Sequence, residues 1–413
     1  MTDSHSDTPA SGALDVIIVG GGLAGGLIAL ALQQNAPDCQ FQVIEAGDML
    51  GGNHRWSWFE SDLSPQGAAL LAQFELNHWD EGYEIAFPDY SRQLPTAYRS
   101  LSSENFHALL TRELPQEALR LETRVSALGE NGVTLEGGEH LPARCVIDCR
   151  TFVPSEKLAG GWQVFLGQHI KCDEAHGLTK PVIMDATVDQ VAPYGNGAAY
   201  RFVYVLPLSE DEVFIEDTYY ADEPRMEKDQ LWGRTQDYAH QHGWKGEVIA
   251  HETGILPVVT GGDFTHALDE QRLPGVAMTG TRGGFTHPLT SYTLPFAADN
   301  ALAIAELLAR SPETSGAQLA AFCDRRARAH WRKTGFYRML GRMLFEAAEP
   351  HKRVNVFQHF YKLSGDLVER FYAARSSWPD RARILSGKPP VSIARAMRAL
   401  VSRGIPFKLE KKA

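Results

Sequence analysis

Apolar positions along this chain change period several times, and each change marks an element. Leu14-Asp15-Val16-Ile17-Ile18-Val19 is a nearly unbroken β-branched run, the pattern of a parallel strand covered on both faces. Gly20-Gly21-Gly22-Leu23-Ala24-Gly25 follows, and residues 27–32 then read as helix. Residues 41–44 form a second short apolar run. Residues 124–128 and 133–135 flank Asn131-Gly132, the dipeptide of a tight hairpin. Cys145-Val146-Ile147-Asp148 reads as a further strand of the first sheet. Between about 155 and 265 the runs at 182–185, 200–205 and 212–216 are strand-like, which predicts an inserted domain with an antiparallel sheet. Residues 275–280 predict a late strand reaching a glycine, and Pro295 opens an apolar helix to about Leu308, with proline at a first helical position. Beyond about 317 the pattern is helical. Met339, Leu340, Met343, Leu344 and Phe345 form one stripe there, a pattern more often core than membrane contact.

Residues 16–32 carry no charge and five glycines. A span needs about 20 apolar residues and a secretory signal a basic start. The first Lys or Arg is Arg55, so neither a transmembrane span nor a signal peptide is expected. The segment fits a dinucleotide site instead. Gly20, Gly22 and Gly25 form G-x-G-x-x-G between strand and helix, and Glu45 ends the next strand, 25 residues after Gly20. The parts supply a tight turn, close backbone approach to a pyrophosphate, a helix N-terminus facing its charge, and a carboxylate for ribose hydroxyls. Three features favour FAD over NAD. The motif lies at the N-terminus. Gly51-Gly52-Asn53-His54-Arg55 follows the acidic residue. The late strand ends at Gly280, before Arg282-Gly283-Gly284-Phe285-Thr286-His287-Pro288 and the helix at Pro295. That helix N-terminus would suit an anionic reduced isoalloxazine. No second glycine fingerprint for NADPH occurs.

The composition of the 413 residues, 44% hydrophobic and 22% charged, is ordinary for a globular protein and excludes disorder, collagen and a small disulfide scaffold. Five cysteines, one necessarily unpaired, predict a reducing compartment. The net charge of −11 hides an asymmetry: residues 321–413 hold 21 Lys and Arg against 7 Asp and Glu, leaving 19 against 44 in the rest. The acidic remainder speaks against nucleic acid. The basic part fits either an acidic partner domain or an anionic membrane surface. Residues 1–12 predict a disordered start. No His, Cys or carboxylate cluster has metal spacing, and there is no nucleophile elbow or P-loop.

Glu216 and Asp217 are adjacent carboxylates in an apolar, strand-like run. On a strand, Phe214, Glu216, Thr218 and Tyr220 share one face and Val213, Ile215 and Asp217 the other, so one carboxylate enters any given cavity. A carboxyl beside Phe and Tyr in an apolar pocket has its charged form disfavoured and can serve as a Brønsted acid. The alternative is a strand-end pair, one member solvated and the other salt-bridged. Asp185 and Asp189 are weaker candidates, and His287 before Pro288 is more often structural.

Blocks spread along the chain resemble the bacterial lycopene β-cyclases, a family of carotenoid-pathway flavoproteins. They are the glycine motif, Gly51-Gly52-Asn53-His54 with Trp56-Ser57, and Met184-Asp185-Ala186-Thr187-Val188-Asp189-Gln190. Arg201-Phe202-Val203-Tyr204, Leu206-Pro207-Leu208 and Ile215-Glu216-Asp217-Thr218 follow. Later come Gly284-Phe285-Thr286-His287-Pro288, Arg338-Met339-Leu340, Arg342-Met343-Leu344-Phe345 and Leu385-Ser386-Gly387-Lys388-Pro389-Pro390. One departure is Ser291 before Tyr292, where related members often carry Gly.

The resemblance implies a redox-neutral isomerisation. The acyclic ψ ends of lycopene are protonated and closed to β-ionone rings, with reduced FAD required and NADPH the usual source of its electrons. The family's essential carboxylate maps onto Glu216, with Asp217 as second choice. A substrate stored in the bilayer gives weight to peripheral contact on the cytoplasmic side of a membrane. Other readings are an FAD-dependent isoprenoid hydroxylase or saturase, and a non-catalytic prenyl-lipid carrier. The expected fold is α/β: a Rossmann-type FAD domain (13–60, 100–155 and 266–310), a substrate domain (61–99 and 156–265) and a helical basic region (311–413).

Overall fold

The computed structural model describes residues 14–190, 193–194, 197–386 and 391–407. The expected disordered start, 1–12, and the end of the 385–390 block lie outside them. A seven-stranded sheet runs in the order Leu119–Arg120, Phe41–Ile44, Leu14–Val19, His140–Asp148, Gly132–Leu135 and Val125–Gly129, with Val276–Met278 also paired to His140–Asp148. The first four strands and Val276–Met278 are parallel. The hairpin across Asn131-Gly132 joins the same long strand antiparallel. Leu14–Val19 is central, which is why its β-branched residues are buried on both faces. Helices Leu23–Asn35, Ser103–Glu113 and Leu294–Arg310 pack together on this sheet. They approach closely because Gly26 faces the ring of Phe106, which would lie 2.4 Å from a Cβ there.

A second seven-stranded sheet runs Gly246–Gly262, Leu158–Cys172, Glu212–Ala221, Tyr200–Pro207, Val182–Asp185, Tyr83–Phe87 and Tyr90–Leu94. It is antiparallel except between Val182–Asp185 and Tyr83–Phe87. Its two longest strands, of 15 and 17 residues, carry glycines that would ordinarily weaken them. Here the glycines are slots for rings. A Cβ on Gly161 would lie 2.1 Å from Phe345, on Gly167 2.2 Å from Phe214, and on Gly254 2.3 Å from Phe165. A three-stranded sheet of Arg55–Phe59, Tyr98–Ser102 and Asn77–Trp79 stands beside it.

The C-terminal region is helical from Gly316–Lys333 through Ile393–Val401. Leu340, Met343 and Leu344, from the apolar stripe, line an apolar pocket of about 130 Å³ whose wall also includes the exposed Leu385. Arg353, fully buried, ties the region to the large sheet. Its Nη1 donates to the Tyr220 carbonyl at 3.1 Å, and its guanidinium lies 4.7 Å from the Phe345 ring centre. Among the described residues no helix is long and apolar enough to cross a membrane.

Candidate active site

Each glycine of the N-terminal motif has a separate geometric reason. Gly20 has φ +100°, and a Cβ on it would meet the Cys149 backbone at 3.1 Å. Gly25 is where the helix rests on the strand end, since a Cβ would come 2.0 Å from the Gly20 carbonyl oxygen. Gly22 is the opposite case: nothing lies within 4 Å of its missing Cβ. It opens a backbone ledge at the N-terminus of Leu23–Asn35, where a phosphate can approach. Glu45 sits against that turn. Its two oxygens accept from the Gly21 N–H at 2.7 Å and the Gly47 N–H at 2.8 Å, and each retains a lone pair for a sugar hydroxyl. Gly280, at φ +60°, lies over Ala24 and brings the late strand to the same place. The structure thus gathers Gly20, Gly22, Gly25, Glu45 and Gly280 at one ledge whose free space and donors fit a dinucleotide.

Beside the ledge is a chamber of about 230 Å³. One wall is a face of the large sheet, another the Arg55–Phe59 and Tyr98–Ser102 strands. The loop at 290–293 and Leu294 at the start of Leu294–Arg310 close one end. The link to the ledge is short: the Gly51 N–H donates to the Gly21 carbonyl at 2.9 Å, and Trp56, packed at Gly51, lines the chamber. Nine of the lining side chains are aromatic, among them Trp56, Phe165, Phe202, Tyr204 and Tyr220.

Glu216 enters this chamber. The strand pleat places it in a cross-strand row with Tyr204, Gly167 and Glu252. Burial raises its pKa from 4.5 to about 7; the Thr218 hydroxyl, donating to Oε1 at 2.6 Å, opposes the rise and the nearby Asp217 charge adds to it. Asp217, one residue on, is on the other side of the sheet. Its side chain is fully buried, with Oδ1 accepting from Arg201 Nε at 2.7 Å and Oδ2 from the Tyr219 hydroxyl at 2.8 Å. Burial pushes its carboxyl upward, and Arg201 and Tyr219 oppose that shift.

Of the weaker candidates, Asp189 is exposed, and Asp185 and His287 are taken up by structure. Asp185 accepts from the Thr187 N–H and hydroxyl and from the Tyr238 hydroxyl. His287 is fully buried between the Phe371 carbonyl and the Leu289 N–H, and burial lowers its pKa to about 3, so it is neutral. Ser291 takes φ +56°, the left-handed conformation that glycine adopts without strain. Its hydroxyl compensates by donating to the buried Pro257 carbonyl at 2.6 Å. Residues that sequence reasoning missed also line the chamber: Glu252, Arg55 and Tyr292, whose hydroxyl donates to buried Asp62 at 2.7 Å. Glu252 lies in His251-Glu252-Thr253-Gly254 without a local apolar alternation, and only strand pairing reveals its place.

The family profile for lycopene cyclase protein matches residues 15–398. The chain belongs to the lycopene cyclase family. A lycopene beta-cyclase of Pseudescherichia vulneris is 44% identical over 94% of this chain and 97% of its own length. One of Pantoea ananas is 40% identical over 94% and 98%. Solved structures show the fold at lower identity. A geranylgeranyl bacteriochlorophyll reductase-like protein of Thermoplasma acidophilum has a TM-score of 0.58 at 13% identity, covering 95% of this chain and 96% of its own. Klebsiella pneumoniae HpxO, complexed with FAD, also has a TM-score of 0.58, at 14% identity, covering 88% of this chain and 99% of its own. This lycopene cyclase family member therefore has a flavoprotein-type fold, with Rossmann sheet, inserted antiparallel sheet and helical C-terminal region.

Proposed function

We propose that this protein is a lycopene β-cyclase that binds FAD at the Gly20–Gly25 ledge and uses Glu216 as its proton donor. The observation that carries the reading is the buried Glu216 carboxyl, its pKa raised to about 7, in a wall of aromatic side chains. A hydrocarbon offers no polar handle, so catalysis needs a strong acid in a dry site and stabilisation of the developing cation. Glu216 protonates the terminal double bond of a ψ end, and the next double bond closes the ring. Tyr204, Phe165 and Phe202, lining the same chamber, present π-faces to the cation. When bound in its reduced state, with electrons drawn from NADPH, FAD supplies negative charge beside that cation. Asp217 is assigned a positioning role: paired with Arg201, it fixes the strand from behind.

The same reading includes a peripheral membrane contact on the cytoplasmic side, where the substrate is stored. Supporting it, among the described residues six of the ten exposed large hydrophobics lie at 378–405, including Trp378 at 80% and Val401 at 83% exposure. The basic residues Arg381, Arg383, Arg398 and Arg403 are interspersed among them. The deciding experiment is anaerobic incubation with lycopene and chemically reduced FAD. Wild type should give a ring product of unchanged mass, and Glu216→Gln should keep FAD but give none. A product altered by hydrogen or oxygen would mark a redox enzyme instead.

A further inference from the structure

We propose that Glu252 is the base that removes the ring proton, forming with Glu216 a carboxyl pair across the chamber wall. Gly167, on Leu158–Cys172, is paired with Glu216 on one side and with Glu252 on the other. Residues directly opposed across strands point to the same face, so both glutamates face the chamber. Strands lie about 4.8 Å apart, which puts the two Cα atoms about 10 Å from each other. The residue between them has no side chain, and the edge of the Phe214 ring takes the place of its Cβ, between the two glutamates.

Glu252 is buried to 6% exposure. Burial raises its carboxyl well above the ordinary value, with the charge of Glu216 adding to this. Arg55 works the other way, through both its guanidinium and its backbone N–H, while Glu104 raises it. Glu216 has only the Thr218 hydroxyl opposing its rise. Two such carboxyls in one dry site hold a single proton between them. Burial and the Glu216 charge hold Glu252 higher than Glu216 in the free enzyme. Arg55, whose guanidinium and backbone N–H act on Glu252, is the cation at this pair, so once the hydrocarbon is bound the negative charge lies on Glu252 and the proton on Glu216.

The step balances without a co-reactant. The Glu216 carboxyl gives its proton to the terminal double bond, and the electron pair of the next double bond forms the ring C–C bond. The Glu252 carboxylate takes the proton from the ring carbon that made the new bond, and that C–H electron pair becomes the ring double bond. The cycle ends with Glu216 ionised and Glu252 protonated; return of the proton across Gly167 resets the pair. The position of Glu252 then decides which proton is lost, and so which ring isomer forms.

This inference rests on Glu216 as the acid, and the test separates the two. FAD-loaded, chemically reduced enzyme is given lycopene in D₂O. Wild type should form β rings carrying deuterium. Glu252→Gln, with wild-type FAD content, should cyclise about 100-fold more slowly and return lycopene labelled at its ends, because protonation reverses when the ring proton has no acceptor. Glu216→Gln should yield neither product nor label. Cyclisation by Glu252→Gln within threefold of wild type would overturn the base role, as would silence in both product and label. Labelled lycopene from Glu216→Gln would instead overturn the acid. Should Glu252→Gln lose FAD, Glu252→Asp decides: at least about tenfold slower turnover with labelled lycopene supports the base, and a wild-type rate refutes it.

Discussion

Replacing Glu216 by Gln should abolish cyclisation and, above neutral pH, make the protein more stable. The native chamber holds the carboxyl at about 7, against 4.5 for a solvated glutamate. At about 1.4 kcal/mol per pH unit, the ionised form costs the fold about 3 kcal/mol. The native state binds this proton more tightly than the unfolded chain, so the cost is absent below about pH 4.5. It grows as pH rises from there and levels off above about pH 7. Gln carries no charge, fills nearly the same space, and still offers an oxygen to the Thr218 hydroxyl, which now donates at 2.6 Å. Unfolding entropy of about 2.1 cal/mol/K per residue converts about 3 kcal/mol into about 3 °C for a chain of this length. Thermal melts of wild type and variant, followed by circular dichroism and FAD release, should differ by about that much at pH 8 and by much less at pH 5. Cyclisation by wild type should fall as pH rises through about 7, because the donor is then ionised. A variant that melts below wild type at pH 8, or one that still closes rings, would refute the dry-acid chamber.

Three further outcomes follow from the same geometry. Gly22→Ala should weaken FAD binding at least about tenfold, since Gly22 borders the phosphate ledge, yet leave the apoprotein's melting temperature unchanged, because its Cβ meets nothing within 4 Å; titration with FAD and apoprotein melts check both halves. Arg201→Met should cost about 3–5 kcal/mol in denaturant unfolding by leaving the fully buried Asp217 without its cation, whereas folded Asp217→Asn should still cyclise, with the neutral-pH limb of its profile in place. Trp378→Ser with Val401→Asp should reduce sedimentation with anionic phosphatidylserine vesicles at low salt without changing turnover of detergent-solubilised lycopene.

The nucleotide half is readable because its signals are local. A β-branched run, three spaced glycines and an acidic residue lie within Leu14 to Glu45, and each has one physical reason to be where the structure puts it. The late strand Val276–Met278 is equally plain, since Gly280 needs its positive φ to pass Ala24. The chamber is half readable. Strand alternation alone separates Glu216 from Asp217, and of the apolar stripe at 339–345 only Leu344 is buried, the other four being half-buried. What could not be read was Leu158–Cys172 and Gly246–Gly262. Their glycines argue against strands until the rings of Phe345, Phe214 and Phe165, distant in sequence, are seen to occupy the empty Cβ positions. Glu252 is lost with them, for its meaning depends on pairing with Gly167, 85 residues earlier.

The sheet therefore separates two requirements that a single carboxylate could not meet. An acid for a hydrocarbon must be dry and uncharged, which makes its ionised form costly; a strand in a protein interior must also hold position firmly. Alternation by one residue divides these tasks. Asp217 lies on the far side of the sheet, fixed by Arg201 and Tyr219, and Glu216 on the chamber side rests against the Thr218 hydroxyl. Adding a cation beside Glu216 would relieve the strain of its ionisation and remove its acidity toward an alkene in the same act. By this logic, an ion pair at residue 216 would make the fold more stable and the enzyme inert. Among the described residues the one arginine lining the chamber, Arg55, is turned to Asn77 and Ser100 at 3.0 and 3.4 Å.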